Sequence, residues 1–217
     1  MQTFATPAPV TAVLDVPAGR VRLVAADRAD TTVEVLPADP GKGRDAKAAE
    51  QTTVEHADGV LRIATPGGNR ALGPSGAVEV TVHLPAGSQV RAVGIDLRGT
   101  GRLGEVSFQG HGDVELDRAA GVRLTTEAGD VTVARLDGPG EITTQKGGIT
   151  VAEAVRGALT LSTQVGDIAV NAAAGVSASL DAGTSHGRVH NALAGGGAAE
   201  LTIHATTAQG DITARSL

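Results

Sequence analysis

A glycine followed by alternating aliphatic residues recurs through the second half of the chain, and this repeat limits the folds that the chain can adopt. It occurs as TTEAGDVTV (125–133), TTQKGGITV (143–151), STQVGDIAV (162–170) and TTAQGDITA (206–214). The repeat glycines are spaced by 17, 18, 19, 21 and 23 residues and are Gly112, Gly129, Gly147, Gly166, Gly187 and Gly210. A short internal period is typical of solenoids, whose repeats bury their apolar residues by stacking.

The residues around these glycines predict short strands. Aliphatic residues follow two positions later, at Val114, Val131, Ile149, Ile168, Val189 and Ile212. Two positions further on are Leu116, Val133, Val151, Val170, Asn191 and Ala214. A second column precedes the glycine by five residues (Leu124, Ile142, Leu161), and a third is assigned to Leu136, Val155 and Val176. This alternation predicts three strands per coil, with the glycine turning a corner that a Cβ would obstruct.

The N-terminal half also predicts strands, but without the repeat. Residues 10–36 alternate as three strands, with a turn predicted at PAG (17–19) between the first two, and Asp58-Gly59 predicts a hairpin turn. DAKAAE (45–50) predicts one helical turn, and the glycine-rich segment 65–76 predicts a mobile loop. We therefore predict an all-β chain, a single-stranded β-helix (β-solenoid) of ~18-residue coils with an N-terminal β-sandwich-like or capping layer. The predicted divisions are an extension (1–9), the capping region (10–104) and the solenoid continuous with it (105–217).

Composition excludes several classes of partner. The chain has a net charge of −6, with no Trp or Tyr and two Phe, so it offers neither the basic stripe nor the stacking aromatics that nucleic acids require. It contains no cysteine, no apolar run of membrane-spanning length and no basic, signal-like N-terminus. These features predict a cytoplasmic protein without direct membrane insertion. No phosphate-binding or other cofactor motif is present, so no cofactor is predicted.

LDVPAGRVRL (14–23) and VEVTVHLPAGSQVRA (78–92), together with the repeated GDV and GDI coils, resemble the bacterial putative-adhesin family with β-strand repeats, domain of unknown function 4097. The resemblance covers roughly residues 10–215, and the Ala/Gly/Val/Arg-rich composition is similar to that of an actinobacterial member. It implies a β-solenoid without an established enzymatic activity. Some relatives have a role in envelope-stress or cell-surface regulation, and the resemblance implies such a role as an expectation for this chain.

Two groups of residues are candidates for a site. Asp113 and Asp130 follow successive repeat glycines, so stacking places them about 4.8 Å apart at the backbone. They and Asn191 are candidate binding residues. No metal is predicted, because the glycine-aspartate calcium repeat is absent and Asp is also a common turn residue.

The second group lies in SHGRVH (185–190), where the repeat becomes irregular. His186, Arg188 and His190 are the candidate catalytic residues, because irregularity in a repeat often accompanies function. The two histidines are predicted on one strand face about 13 Å apart, too far to share a metal. His111 precedes Gly112 as His186 precedes Gly187, four coils away in chain order. Solvated strand histidines are the simpler interpretation for all six histidines of the chain, His56, His83, His111, His186, His190 and His204.

Two functions remain open from the sequence. The first is a non-enzymatic interaction or scaffold protein that binds an unknown protein partner, or a second copy through edge or end-to-end pairing. The alternative is a biosynthetic enzyme with its site near His186–Asn191, since an 18-residue coil also resembles the hexapeptide-repeat acyltransferases. The two alternating aliphatics per strand and the variable coil length argue against that family. The threonine columns (Thr125/Thr126, Thr143/Thr144, Ser162/Thr163) are interpreted as exposed strand residues.

Overall fold

The computed structural model describes residues 1–66, 76–194 and 198–217. Contacts within these residues divide the chain into two compact units, Met1–Gly110 (unit 1) and His111–Leu217 (unit 2). The mobile loop predicted at 65–76 lies almost entirely outside the described residues. The border predicted between residues 104 and 105 stays a prediction.

The described part of unit 2 is built from strands joined by short turns. They are β8 (Val114–Ala128), β9 (Val131–Leu136), β10 (Gly140–Lys146), β11 (Ile149–Ala154), β12 (Gly157–Val165), β13 (Ile168–Ala172), β14 (Ala178–His186), β15 (Val189–Ala192), β16 (Leu201–Gln209) and β17 (Ile212–Ser216). Every pairing among them is parallel. A chain that winds in coils produces this pattern, because each strand pairs in parallel with the equivalent strand of the adjacent coil.

The strands form two parallel ladders, which we call layer A and layer B. Layer A contains β8 from Val122 onward, then β10, β12, β16 and β14 in order of pairing. Layer B contains the first part of β8, then β9, β11, β13, β17 and β15. A repeat glycine separates the two layers within each coil, so the predicted β-solenoid is confirmed. Each coil contains two strands, one in each layer, so the prediction of three strands per coil is wrong.

The coils do not stack in chain order. The coil formed by β16 and β17 (201–216, the inserted coil) pairs with β12 and β13 on one side and with β14 and β15 on the other. The coil formed by β14 and β15 (178–192, the terminal coil) is therefore displaced to the outside. The chain-order stacking assumed from the sequence is wrong for these two coils.

Side-chain size and polarity explain this order. The inserted coil carries Ile203 and Ile212, which are fully buried between its two neighbours. The terminal coil carries Ala182 and Asn191 at inward positions. Exchanging the two coils would bury the amide of Asn191 and expose both isoleucines, and both changes are unfavourable.

The inward columns mostly follow the prediction. Val131, Ile149, Ile168 and Ile212 are partners in register, as are Leu124, Ile142 and Leu161. The third column is different: Leu136 pairs with Ala154, which pairs with Ala172, so the assignment to Val155 and Val176 is wrong. The register shifts between Val151 and Ala154, and this irregularity moves the buried position by one residue. Small alanines would not stand out from their surroundings in a hydrophobicity pattern.

Two inward columns lose their large aliphatic side chains towards the terminal coil. In layer A the column runs from Leu161 to Ala205 to Ala182. In layer B it runs from Val170 to Ala214 to Asn191. The apolar core therefore narrows over the last two coils, and less apolar surface remains uncovered at the end of the stack.

Unit 1 also contains parallel stacking. Its described elements are β1 (Gln2–Ala5), β2 (Thr11–Ala26), β3 (Asp30–Pro37), α1 (Gly43–Gln51), β4 (Thr53–Ala57), β5 (Val60–Ala64), β6 (Val78–Pro85) and β7 (Gln89–Gly110). The two parts of β2 pair in parallel with β5 and β6 respectively, and both pair in parallel with β7. The turn predicted at PAG (17–19) is wrong: these residues are a bend within β2, because the register of β2 with β7 shifts there without reversing direction.

Antiparallel strands border this stack. β3 pairs with β6, β1 with β3, and β4 with β5, all antiparallel. The β4–β5 pair confirms the predicted hairpin, since Ala57 faces Val60 and both Asp58 and Gly59 have positive φ. The predicted helical turn belongs to the longer α1. The segment set apart as an extension (1–9) includes β1.

The corner glycines give a direct test of the fold. Gly166 has φ +152° and its hydrogen faces the carbonyl oxygen of Gly147, which an added Cβ would overlap. We expect Gly166→Ala to lower the free energy of unfolding by well over ~1 kcal/mol, because the strained φ and the backbone overlap add together. Urea unfolding monitored by circular dichroism measures this change.

Gly183→Ala is the matched control, because nothing lies within 4 Å of a Cβ built at Gly183. We expect its unfolding midpoint to equal or exceed that of the unsubstituted protein. Equal midpoints for the two variants would contradict the assignment of Gly166 to a closely packed corner.

Candidate functional site

The candidate catalytic residues lie around the corner of the terminal coil. His186 ends β14 in layer A, whereas His190 lies on β15 in layer B, with Gly187 between the two strands. The prediction that both histidines share one strand face is wrong, because the corner separates them. In their ladders His186 is beside Gln209 and His190 is beside Thr213. Both side chains are exposed.

His111 is well separated from this corner. The repeat glycines stack in the order 112, 129, 147, 166, 210 and 187, as their close backbone approaches show. His111 and His186 are therefore five steps apart rather than four, or about 24 Å at the spacing of parallel strands. His111 pairs instead with Glu127, with 2.9 Å between Nε2 and Oε2. His56 is also not a solvated histidine: its ring packs on Phe4, with the ring centroids 5.4 Å apart.

A shallow depression lies on the outer surface of layer B at the terminal coil. Its volume is about 410 Å³, and it is lined by Arg188, Val189, His190, Asp211 and Thr213. The guanidinium of Arg188 is 90% exposed and its Nε lies 3.9 Å from Oδ2 of Asp211. This is an open surface with cationic and apolar groups side by side.

The aspartates that follow the repeat glycines act as clamps between coils. Asp113 Oδ1 accepts the backbone N–H of Asp130 at 2.9 Å, and Asp130 Oδ1 accepts that of Gly148 at 2.7 Å. Farther along the stack, Asp167 Oδ1 accepts the N–H of Asp211 at 2.7 Å. Each carboxylate thus satisfies an amide of the next coil. This explains why Asp recurs at the position, and it gives the candidate binding residues Asp113 and Asp130 a structural contact.

The aspartate series ends at the terminal coil. Asp211 Oδ1 accepts the backbone N–H of Arg188 at 2.9 Å. Arg188 occupies the position at which most other coils have Asp, and no described coil lies beyond it to offer an amide. Asn191, the third candidate binding residue, accepts the N–H of Leu193 through its side-chain oxygen at 3.0 Å. The terminal coil therefore carries a cation at the position where most other coils carry a carboxylate.

A buried row of threonines joins the coils on the inner side of the corners. Thr163 donates its hydroxyl to the carbonyl oxygen of Gly147 at 3.0 Å, and Thr207 donates to Gly166 at 3.0 Å. Equivalent bonds link Thr126 to Gly112, Thr144 to Gly129 and Thr184 to Gly210. The interpretation of these columns as wholly exposed is wrong. Only the preceding residue of each pair, such as Thr125, faces outward.

An ion-pair network crosses layer B at the far end of the strands. Asp137 lies between Arg118, at 2.6 Å, and Arg135, at 3.0 Å, and Arg135 also contacts Glu153. Partial burial raises the pKa of Asp137, but hydrogen bonds and charge from Arg118 and Arg135 outweigh it and hold the pKa below its usual value. Hydrogen bonds to Glu153 and Asp137 raise the pKa of Arg135. Sequence reasoning missed this network because most of its members come from different coils, as Arg118 and Asp137 do at a separation of 19 residues.

Neither a metal centre nor a membrane helix is found in the part of the chain that the structure describes. Within residues 1–66, 76–194 and 198–217, no group of three or more His, Asp or Glu side chains could hold a metal ion. No helix in these same ranges is long and apolar enough to cross a membrane.

Stacked parallel coils with aliphatic columns and glycine corners define an all-β, solenoid-like protein. The family described as Toastrack DUF4097 matches residues 13–215, and the chain belongs to this family. The resemblance noted in the sequence is thereby confirmed. Comparison with curated proteins finds no match.

Solved structures similar to this chain are described as adhesins or adhesion proteins. A putative adhesin from Parabacteroides distasonis is 12% identical, with 98% of this chain and 95% of that chain covered and a TM-score of 0.44. One from Bacteroides fragilis is 13% identical, with the same coverage and a TM-score of 0.42. A putative cell adhesion protein from Clostridium sporogenes is 14% identical, with 100% and 98% covered and a TM-score of 0.35.

The threonine row can be tested at Thr163. We expect Thr163→Val to lower the free energy of unfolding by about 1–3 kcal/mol, because the carbonyl of Gly147 loses its hydroxyl donor in a buried place. Thr160→Val on the same strand is the control, since Thr160 is exposed and valine suits a strand. Equal urea midpoints for the two variants would contradict a stabilising role of the buried hydroxyl.

The ion-pair network predicts a specific pH dependence. Because the pKa of Asp137 is lower in the folded protein, its contribution to stability is complete above the ordinary carboxyl pKa of about 3.9. It is lost as the pH falls below that value through the lower folded pKa. We expect Asp137→Asn to destabilise at pH 7 and to cost progressively less towards pH 3.

Urea unfolding at pH 7, 5, 4 and 3 measures this difference. Asp27→Asn, at an exposed carboxylate of unit 1, is the control and is expected to change the midpoint little at any of these pH values. A difference between Asp137→Asn and the unsubstituted protein that stays constant down to pH 3 would contradict the linkage.

Proposed function

We propose that the protein is a non-enzymatic interaction module that binds an extended segment of a partner protein along the terminal coil. Strand addition to an open sheet edge is a common mode of peptide recognition, in which backbone hydrogen bonds supply affinity and side chains supply specificity. The observation that carries the proposal is the one-sided pairing of the terminal coil.

Within the described residues, β14 pairs with β16 and β15 pairs with β17, and neither has a second ladder partner. Each therefore presents a row of backbone N–H and C=O groups to solvent. Open edges of this kind are normally covered, blunted or used for pairing. The strand β14 is nine residues long, which is long enough for a partner strand to form a continuous ladder.

The inward residues of the terminal coil remain partly open. Val189 is 44% exposed, whereas Ile212, its partner in the next coil, is fully buried. Leu180 and Ala182 are half-buried on β14. A bound segment that continued the stack would cover these side chains and so add apolar burial to the backbone bonds.

The charges at this edge favour an acidic segment. His186, Arg188 and His190 are exposed around the corner. The nearby carboxylate of Asp181 lies 3.2 Å from His204 Nδ1, and that of Asp211 accepts the Arg188 amide. Most other coils of the stack present carboxylates at the position of Arg188. A partner strand with a carboxylate near this corner would therefore find its complement on the terminal coil.

The proposal also includes the cellular role and the location of the protein. Resemblance to the family supports a role in cell-surface or envelope-stress regulation, and the names of the similar structures refer to adhesion. The predicted cytoplasmic location rests on the cysteine-free composition. Fractionation of source cells followed by immunoblotting tests it, and recovery of the protein outside the cytoplasmic fraction would overturn it.

The edge can be tested with substitutions that leave the stack intact. Ala182→Lys places an inward-pointing charge on the open edge, a feature that blocks strand addition. Arg188→Glu reverses the charge at the corner. We expect both variants to lose at least tenfold in affinity for the captured partner, equivalent to about 1.4 kcal/mol.

Thr160→Lys and Arg156→Glu are the matched controls, because both residues lie at other positions of unit 2, away from the open edge. Partners are captured from source-cell lysate, purified, and titrated against all four variants by calorimetry. Hydrogen exchange is then compared with and without partner. Protection confined to residues 178–192 supports the proposal. Unchanged affinity of both edge variants, or protection elsewhere only, overturns it.

A further inference from the structure

The inserted coil occupies a slot between two other coils of unit 2. β16 pairs along its whole length with β12 on one side and with β14 on the other. β17 pairs in the same way with β13 and β15. The slot is therefore formed by residues 157–172 and 178–192, which are consecutive coils in the sequence but not neighbours in the stack.

The slot recognises the inserted coil through specific side-chain contacts on both sides. On the side of β12–β13, Thr207 donates its hydroxyl to the Gly166 carbonyl, and Asp167 Oδ1 accepts the Asp211 N–H. On the side of the terminal coil, Thr184 donates to the Gly210 carbonyl and Asp211 accepts the Arg188 N–H. These bonds fix the register of the inserted coil.

Apolar burial is concentrated in the same segment. Leu201, Ile203, Ala205, Ile212 and Ala214 are each at most 1% exposed. If the inserted coil left the slot, these residues would be exposed together with the apolar side chains that they cover. Three strands in each layer would lose partners at once. An open chain of this kind would be strongly driven to pair again.

The inserted coil is held in the described structure without covalent cross-links. The chain has no cysteine, and one link (193–200) connects the inserted coil to the preceding strands. Other contacts at its ends are hydrogen bonds, from the Leu217 N–H to the Ala172 carbonyl and from the Ala194 N–H to Ser216 Oγ. The link of eight residues can span at most about 26 to 29 Å when extended.

We propose that the slot also accepts the inserted coil of a second copy of this chain, so that two copies form a coil-exchanged dimer. Both forms contain the same ladder pairs, the same threonine and aspartate bonds and the same buried core. Only the link and the concentration decide between them. The closed monomer is favoured in dilute solution, and exchange occurs when coils reopen at high protein concentration. This dimer is independent of strand addition at the terminal coil.

The test uses two residues that meet where the inserted coil joins β12. Thr206 Oγ1 lies 3.3 Å from Ser162 Oγ, and neither hydroxyl belongs to the buried threonine row. The cysteine-free chain allows Ser162→Cys and Thr206→Cys to be introduced singly or together. The two single variants are mixed at equal and high concentration, partly unfolded in urea, refolded and oxidised. Exchange brings the thiol introduced at position 162 of one chain to the thiol introduced at position 206 of the other.

We expect a covalent dimer on non-reducing gels, with the 162–206 disulfide identified by mass spectrometry and with a yield that rises with protein concentration. The control mixture combines Thr143→Cys with Ser162→Cys, which are register partners on β10 and β12, neither in the inserted coil. It is expected to give no such dimer. An equal yield from both mixtures, or none from either, overturns the proposal.

A second measurement does not depend on the efficiency of cross-linking. The double variant, oxidised as a monomer, holds its own inserted coil in place. After the same urea cycle, light scattering coupled to size exclusion should show dimers for the unsubstituted protein and none for the oxidised double variant. A dimer fraction that is the same in both, or no dimer in the unsubstituted protein at millimolar concentration, overturns coil exchange. A dimer formed through the open edges of terminal coils would persist in the oxidised variant.

Discussion

Successive coils of unit 2 approach one another most closely where the backbone of one repeat glycine faces the carbonyl of the glycine in the adjacent coil. A Cβ at Gly166 would overlap the Gly147 oxygen, and the same oxygen accepts the hydroxyl of Thr163. One carbonyl therefore imposes two residue types on the next coil. The aspartate clamps lie one residue beyond the glycines, so the close approach also sets the register in which carboxylates meet amides. The aliphatic columns are in register because the corners are.

Much of this architecture is encoded locally and could be predicted. The spacing of glycines and the alternation around Val131 or Ile149 report strand, corner and inward face within a single repeat. The order of the coils is not encoded locally. It depends on which coil is placed between two others, the one that carries Ile212 or the one that carries Val189, and a single repeat does not reveal this. The third column was misassigned because Ala154 carries almost no hydrophobic signal. The hydroxyl of Thr163 was misjudged because threonine is equally common on exposed strands.

The candidate residues near the irregular repeat lie in the coil that is paired on one side only, among the described strands. The irregularity therefore coincides with the end of the described stack. His186 and His190 are separated by the corner, and Arg188 directly follows the corner glycine. No described coil lies beyond Arg188 to offer a backbone N–H. Side chains suited to burial become scarcer there, as the columns ending in Ala182 and Asn191 show. The polar inward residues of the terminal coil and its open edge have the same cause, because no described coil stacks on its outer side.

The displaced order of the last two coils also has a consequence during synthesis. A ribosome adds about 5–20 residues per second and releases the chain from its N-terminal side. Residues 178–192 therefore emerge before residues 201–216, to which alone, among the described strands, they are hydrogen-bonded in ladders. For the seconds between, the nascent chain carries a coil with nowhere to dock and a temporary edge at β12 and β13. Chaperones that recognise unpaired apolar strands would meet this protein at that moment.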